Sequence, residues 1–380
     1  MITLNEYKEY VDNVIYSIKN ILYKKDPLIF DKIDFYNDDI FLEPLLFSAI
    51  INNDNENIER SLMSYKSNSL IKIKGKNSIY IPNIGYIKLI NEIPIDSYFF
   101  IKKTNNILSV TDTYENCIQY KIEPIIYILN DIEFLKENDK LLENLFINKE
   151  EEVTHVDFIE NKFFENKFKK ALKDLEKHSP LFYNQLMLSL KKVIFFKGDS
   201  YCFSTIKAHN TIFFNVNDNN INELFFIEHL LHEGGHIIFN NITFDSKNEL
   251  FIFDYKTLFK DIEGFEKEHG DLYSRFHGIF THYLISSNFH NFLKKDVYKG
   301  DCDRIKELEG RFCFDMNKYK ISLELFSKDI LSEKGYELYN IFLAKYHEII
   351  NSNSNLINKY NLDNQTYMFS FEKFCQSNLY

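Results

Sequence analysis

Proline placement constrains this chain more than any other feature. All six prolines (Pro27, Pro44, Pro82, Pro94, Pro124, Pro180) lie in the first half, and residues 181–380 carry none. Proline removes a backbone donor and breaks helix interiors. Only the second half is therefore free to build long uninterrupted helices. Residues 255–350 are read as mostly helical. The first half reads as mixed. Residues 4–24 have helical spacing, whereas Leu70–Ile73, Ser78–Ile81, Tyr86–Ile90 and Tyr98–Ile101 are short β-branched and aromatic runs between turn residues. Residues 128–150 read as acidic and helical, ending in the solvated run Lys149-Glu150-Glu151-Glu152. Two amphipathic helices over 156–192, broken at Ser179-Pro180, come next. Short strands then follow at Val193–Lys197, Tyr201–Lys207 and Thr211–Val216, turning at Gly198-Asp199 and His209-Asn210. The expected fold class is α+β. A mixed α/β part occupies 1–150, and a mostly helical part, with a small sheet ahead of its central helix, occupies 151–380.

Charge and cysteine usage narrow the function classes. The net charge of −11 opposes wrapping of DNA or RNA by phosphate neutralisation. The five cysteines (Cys117, Cys202, Cys302, Cys313, Cys375) are odd in number and scattered, which fits a reducing cytoplasm and no disulfide framework. MITLNEYKEY lacks the basic and apolar regions of a secretory signal, and no apolar run is long enough for a membrane span. Neither nucleic acid nor membrane is an expected partner.

Chemistry concentrates in Ile221–Asn241. Asn220, with Glu223 three residues on, is the expected capping box of a helix that carries His232-Glu233-Gly234-Gly235-His236. Histidines at i and i+4 share one helix face about 6 Å apart along the axis, so both imidazoles can reach one ion. Glu233 points aside, within reach of a metal-bound water. The helix is otherwise apolar, and short strands precede it, as the active-site sheet does in zincin-like folds. An accidental motif on a metal-free protein is the alternative. Each mid-helix glycine costs roughly 0.5–1 kcal/mol relative to alanine. Close approach of another helix, or room for a ligand beside the metal, would account for Gly234-Gly235; simple sequence drift is the alternative.

A third ligand is open to several residues. His229 shares the face but is seven residues from His236, near 10 Å along the axis, and reads as a packed histidine. Glu249, Glu263, Glu266 and Glu268 are the glutamates a gluzincin would use. The H-E-x-x-H-x-x-G-x-x-H pattern of metzincins is absent. His277, in an apolar stretch from Tyr273 to Ile285, is the strongest candidate, a satisfied core histidine being its alternative. His282 points elsewhere. Three neutral imidazoles suit Zn(II) and Fe(II) alike.

Leu230–His236 together with Phe276-His277-Gly278-Ile279-Phe280 resembles the HExxH-type peptide-modifying enzymes, described as iron- and 2-oxoglutarate-dependent peptide β-hydroxylases acting on ribosomally made precursor peptides. The tail Ile330–Gly335 looks like that family's closing segment. The likeness covers about 160–345. It implies Fe(II) held by His232, His236 and His277, with 2-oxoglutarate as cosubstrate, a precursor peptide as substrate and Glu233 orienting a ligand. A basic group must then hold the distal carboxylate, and arginine binds carboxylates bidentately. Only Arg60, Arg275, Arg304 and Arg311 are arginines, leaving 41 of 45 basic residues as lysine. Arg311 is the first choice. Its alternative is a surface salt bridge to Glu307 or Asp315 on its own helix. Arg275 is the second choice, but in a helix it would point nearly opposite to His277. The family's aspartate/arginine/proline-type loop before the His-Gly motif is replaced here by Gly270-Asp271-Leu272-Tyr273-Ser274-Arg275, without proline. The competing expectation is a zinc peptidase with Glu233 as general base and substrate added along Thr211–Val216. Residues 1–150 carry no motif and are read as a substrate-binding or dimerising part.

Overall fold

Thr3 opens the chain's first helix with a capping box: its hydroxyl accepts from the Glu6 amide, and the Glu6 carboxylate accepts from the Thr3 amide at 2.7 Å. The structure, a computed structural model, describes residues 2–378 apart from 92, 93, 95, 106, 130, 131, 149–151 and 218–220. It is a mixed α/β protein with small sheets, and it forms two compact units. The first comprises Met1–Lys169 and Gln185–Ile221; the second comprises Lys170–Asn184 and Asn222–Tyr380. The domain boundary expected near residue 150 falls at 149–151, outside the described residues. No helix among the described residues is long and apolar enough to cross a membrane.

In the first unit, α1 (Leu4–Lys25), α2 (Pro44–Ile51) and α3 (Asn55–Leu62) precede the strands. Pro44 stands in the first turn of α2, where its missing N–H costs nothing. Strands β1 (Asn68–Lys74), β2 (Ser78–Ile81), β3 (Gly85–Leu89), β4 (Tyr98–Thr104), β5 (Ile107–Asp112) and β6 (Tyr120–Glu123) form two antiparallel three-stranded sheets, ordered β1-β4-β5 and β2-β3-β6. Their inward residues, among them Ile71, Ile87, Phe99, Ile101 and Val110, share one apolar core. All four strands expected between 70 and 101 are present.

Residues 128–150 differ from expectation. Among the described residues they hold the end of β7 (Ile126–Leu129), β8 (Ile132–Phe134) and only one helical turn, α4 (Lys140–Glu143). The reason is non-local: β8 pairs in parallel with β10 (Lys192–Lys197), so a partner far along the chain overrides local composition. A third sheet results, ordered β11-β10-β8-β7, with β9 (Asp157–Phe158) also on β10 and β11 (Thr211–Asn215) parallel to it. The central strand is buried on both faces and reads as an unbroken apolar run, Val193-Ile194-Phe195-Phe196. Tyr201–Lys207 is not a strand. It makes one bridge, Phe203 to Phe213, and then a 3-10 turn, Ile206–Ala208. The Phe203 and Phe213 rings stack at 4.3 Å.

Helices α5 (Lys162–His178) and α6 (Pro180–Ser189) break at Ser179-Pro180 as expected, and the chain passes between units inside each of them. The second unit then holds α7 (Glu223–Ile242), α8 (Leu272–Lys294), α9 (Cys302–Glu324), α10 (Glu333–Ser352), α11 (Ser354–Ile357) and α12 (Phe371–Asn378). Between α7 and α8 the chain is irregular. One of its short bridges, Phe251 to Leu331, ties it to the segment before α10. The amides of Ile252 and Ser332 donate to the carbonyls of Ile330 and Leu250 at 3.0 and 3.1 Å.

Candidate metal centre

Asn222, not Asn220, caps α7. Its side-chain oxygen accepts from the Leu224 and Phe225 amides at 2.8 and 3.3 Å, while its amide donates to Glu307 at 2.7 Å. Asn220 lies outside the described residues. Glu223 is therefore the first residue of the helix, and its carboxylate bonds Lys170 at 2.6 Å and Arg304 at 3.1 Å.

The register of α7 on α8 is antiparallel. Going up α7 and down α8, the His232 ring lies 5.9 Å from His282, His236 lies 4.2 Å from His277, and Phe239 lies 5.9 Å from Tyr273. His232 and His236 are themselves 4.9 Å apart, as their i, i+4 spacing requires. Four imidazoles thus form a row across two helices, 282–232–236–277. Gly235 explains the closeness of the pair: a Cβ there would stand 2.9 Å from Leu284 Cδ1 and 3.3 Å from Thr281 Cγ2. Of the two uses expected for the glycines, Gly235 serves helix approach.

His277 and His282 are buried, as is His229; His232 and His236 keep part of their surface open. Desolvation favours the neutral ring at all five. It drives His229 and His282 down to about 3 and His236 to about 4, and it holds His232 and His277 well below the usual range. Neutral imidazole is the form that ligates metals. His277 makes backbone hydrogen bonds with His236 and Gly235 while its Nε2 is buried without a partner. A ring fixed at one nitrogen and bare at the other is the usual condition of a metal-ligating histidine. As the rings stand, edge to face, no group of three or more His, Cys, Asp or Glu among the described residues is arranged to hold a metal ion. The donor chemistry of neutral imidazoles suits one.

Carboxylates that local sequence does not reveal stand behind the row. Asp315 Oδ1 lies 3.4 Å from His282 Nδ1, both groups buried, and Asp315 Oδ2 has no partner. Burial raises Asp315 to about 7. Glu228, one turn before His232, is also raised by burial to about 7, against the pull of Arg311. The spacing Glu307, Arg311, Asp315 puts these three on one face of α9, but only the fold shows that this face meets Glu228 and His282.

Arg311 is buried, not at the surface. Its guanidinium bonds Glu307 through Nε and Nη2 at 3.0 and 2.8 Å and Glu228 through Nη1, and it lies 5.0 Å over the Phe369 ring. Both expected readings of Arg311 thus meet one fact: it is held by two carboxylates. Arg275 sits in the first turn of α8, where Nε donates to the His269 carbonyl at 2.6 Å and Nη2 stands 3.9 Å from Glu268; its side chain is 40% exposed. Glu249 is exposed and paired with Lys334 at 2.6 Å. Glu263 and Glu266 are exposed. Glu233 is buried on α7, 4% exposed.

No family model matches the sequence, and neither does any curated protein.

Proposed function

We propose that the chain is a metal-dependent enzyme whose ion is held by His232, His236 and His277, on a zincin-like H-E-x-x-H helix. The observation that carries this reading is the buried, unpartnered Nε2 of His277, on a ring 4.2 Å from that of His236 on the neighbouring helix. We further propose, on the motif resemblance, that the metal is Fe(II) and the reaction a 2-oxoglutarate-dependent hydroxylation of a peptide side chain in the cytoplasm. An iron centre with open positions supplies oxidative chemistry at an unactivated C–H bond. The chain's own part is to hold three neutral imidazoles, to keep Glu233 beside them for orienting a ligand, and to back His282 with Asp315. 2-Oxoglutarate does not fit Arg311 as it stands, because Glu228 and Glu307 occupy its donors; among the two arginines considered, Arg275 keeps exposed N–H groups. The same pairing of Arg311 favours the second reading, zinc-dependent peptide hydrolysis with Glu233 as general base.

The test is metal analysis, then turnover. Protein loaded with Fe(II) and given 2-oxoglutarate, oxygen and a precursor peptide releases succinate and adds one oxygen to the peptide. Peptide cleavage by the zinc-loaded protein, with no succinate from the iron form, supports the second reading instead. Absence of stoichiometric metal in wild type and in the His232→Ala, His236→Ala double variant alike overturns both.

A further inference from the structure

A cavity of about 390 Å³ opens in the first unit, and none of the histidines of the row lines it. Its floor is the buried pair Arg60–Asp139, joined by two hydrogen bonds at 2.7 and 2.8 Å. This pair is neutral overall. Arg60 is only 7% exposed, and its Nε is buried without a partner. Around it stand three lysines from separate elements: Lys76 in the β1–β2 turn, Lys140 at the start of α4, and Lys207 in the 3-10 turn before β11. None of the three makes an ion pair among the described residues. Lys76 is half-buried; burial works against ionisation of the Asp139 carboxyl, but Arg60, with a smaller contribution from Lys76, holds it below its ordinary value.

The lining acids are mostly committed elsewhere. Glu137 bonds Lys88 at 2.7 Å and Ser78 at 2.5 Å, and Asp54 caps α3. Glu56 and Asp54, whose charge the neutral α3 cap does not cancel, are, among the described residues, the lining carboxylates without a cation, against three ammonium groups. Like charges converging on a concave space repel one another, and a chain with net charge −11 has carboxylates enough to pair them. Leaving them unpaired around a cavity of ligand-binding size focuses positive potential into it.

We propose that this cavity binds a small organic polyanion, its carboxylate or phosphate groups taken by Lys76, Lys140 and Lys207 over the Arg60 guanidinium. The site is separate from the histidine row and does not depend on the metal reading.

Isothermal titration of the full-length protein with citrate and with inorganic pyrophosphate tests it, the two probes separating carboxylate from phosphate preference. Saturable binding of at least one is expected, weakening as salt is raised. The triple variant Lys76→Gln, Lys140→Gln, Lys207→Gln should lose affinity by about tenfold or more. A control that removes three exposed charges elsewhere, Lys8→Gln, Lys24→Gln and Lys173→Gln, should change it less than about twofold. Far-UV circular dichroism and melting of both variants establish that they fold. No saturable binding of either probe up to about 10 mM, or equal losses in the two variants, overturns the proposal.

Discussion

Replacing Gly335 by alanine should destabilise the protein severely, and replacing Gly278 should not. Both residues lie in helices, and both belong to segments that carry the family resemblance. In an open helical site the exchange stabilises by roughly 0.5–1 kcal/mol. At Gly278 nothing stands within 4 Å of the added Cβ, so that gain should appear in full. At Gly335 the Cβ would lie 1.9 Å from the Leu250 carbonyl oxygen and 2.9 Å from its carbon. Non-bonded carbon and oxygen approach to roughly 3.3 Å, so α10 must retreat by more than an ångström. That retreat strains the Ser332-to-Leu250 and Ile252-to-Ile330 hydrogen bonds, each contributing about 1 kcal/mol. Overpacking adds roughly 1–3 kcal/mol. Offset by helix propensity, the net loss is about 3 kcal/mol, and the two variants should differ by about 4. The chain has no Trp, so urea unfolding is best followed by far-UV circular dichroism. A Gly335→Ala midpoint within error of wild type, or equal losses in the two variants, refutes the packing account. If Gly278→Ala keeps its stability and loses activity, the open space beside it belongs to a substrate.

His277→Phe should lower metal content while changing the stability of the metal-free protein by less than about 1 kcal/mol, since the bonds to the His236 and Gly235 backbone are lost along with the unpartnered Nε2. The unpartnered Nε2 disappears, and a ring remains among Phe239 and Tyr273; calorimetry and elemental analysis read both effects. Arg311→Met should cost about 3–5 kcal/mol, because Glu228 and Glu307 are left buried without their cation. A small loss of stability with a large rise in the KM for 2-oxoglutarate would restore Arg311 as the cosubstrate arginine. His229 is held neutral at about 3, below its unfolded value of about 6.5. The unfolded chain therefore takes up the proton first, and stability present above pH 6.5 falls as pH drops below it. In His229→Phe, the stability of the metal-free protein between roughly pH 6 and 4 should decline less steeply, by about 1.4 kcal/mol per pH unit. An unchanged slope would show that His229 is protonated in the folded state.

The features that local sequence carries well are those with local causes. Proline exclusion and apolar periodicity locate α8, α9 and α10, and the β-branched runs locate β1 to β4. The i, i+4 rule predicts that His232 and His236 share a face. Where the cause is distant, the reading fails. β8 is three residues long and exists because β10 accepts it, and no feature of 128–150 announces that partner. Tyr201–Lys207 has strand composition but pairs only at Phe203, on the edge of β11 that β10 leaves free. At the site, the Glu307–Arg311–Asp315 spacing is visible in sequence. Its meeting with Glu228 and His282 is not, because those contacts join helices 33 to 83 residues apart. The cavity over Arg60 is likewise built from separate helices, strands and turns that no periodicity links.

Because the chain changes units inside α5 and again inside α6, neither unit is a contiguous stretch of sequence. A fragment beginning at Asn222 would hold the whole histidine row, yet it would lack Lys170, Asp174 and His178. Those residues bond Glu223, bond the Tyr298 hydroxyl, and cover the Phe292 ring. The first segment cannot be cut away cleanly either, since β10 and β11 return to it after the excursion. Cutting the chain at residue 150 or 221 should therefore separate segments that belong to one unit, and neither piece should melt cooperatively on its own.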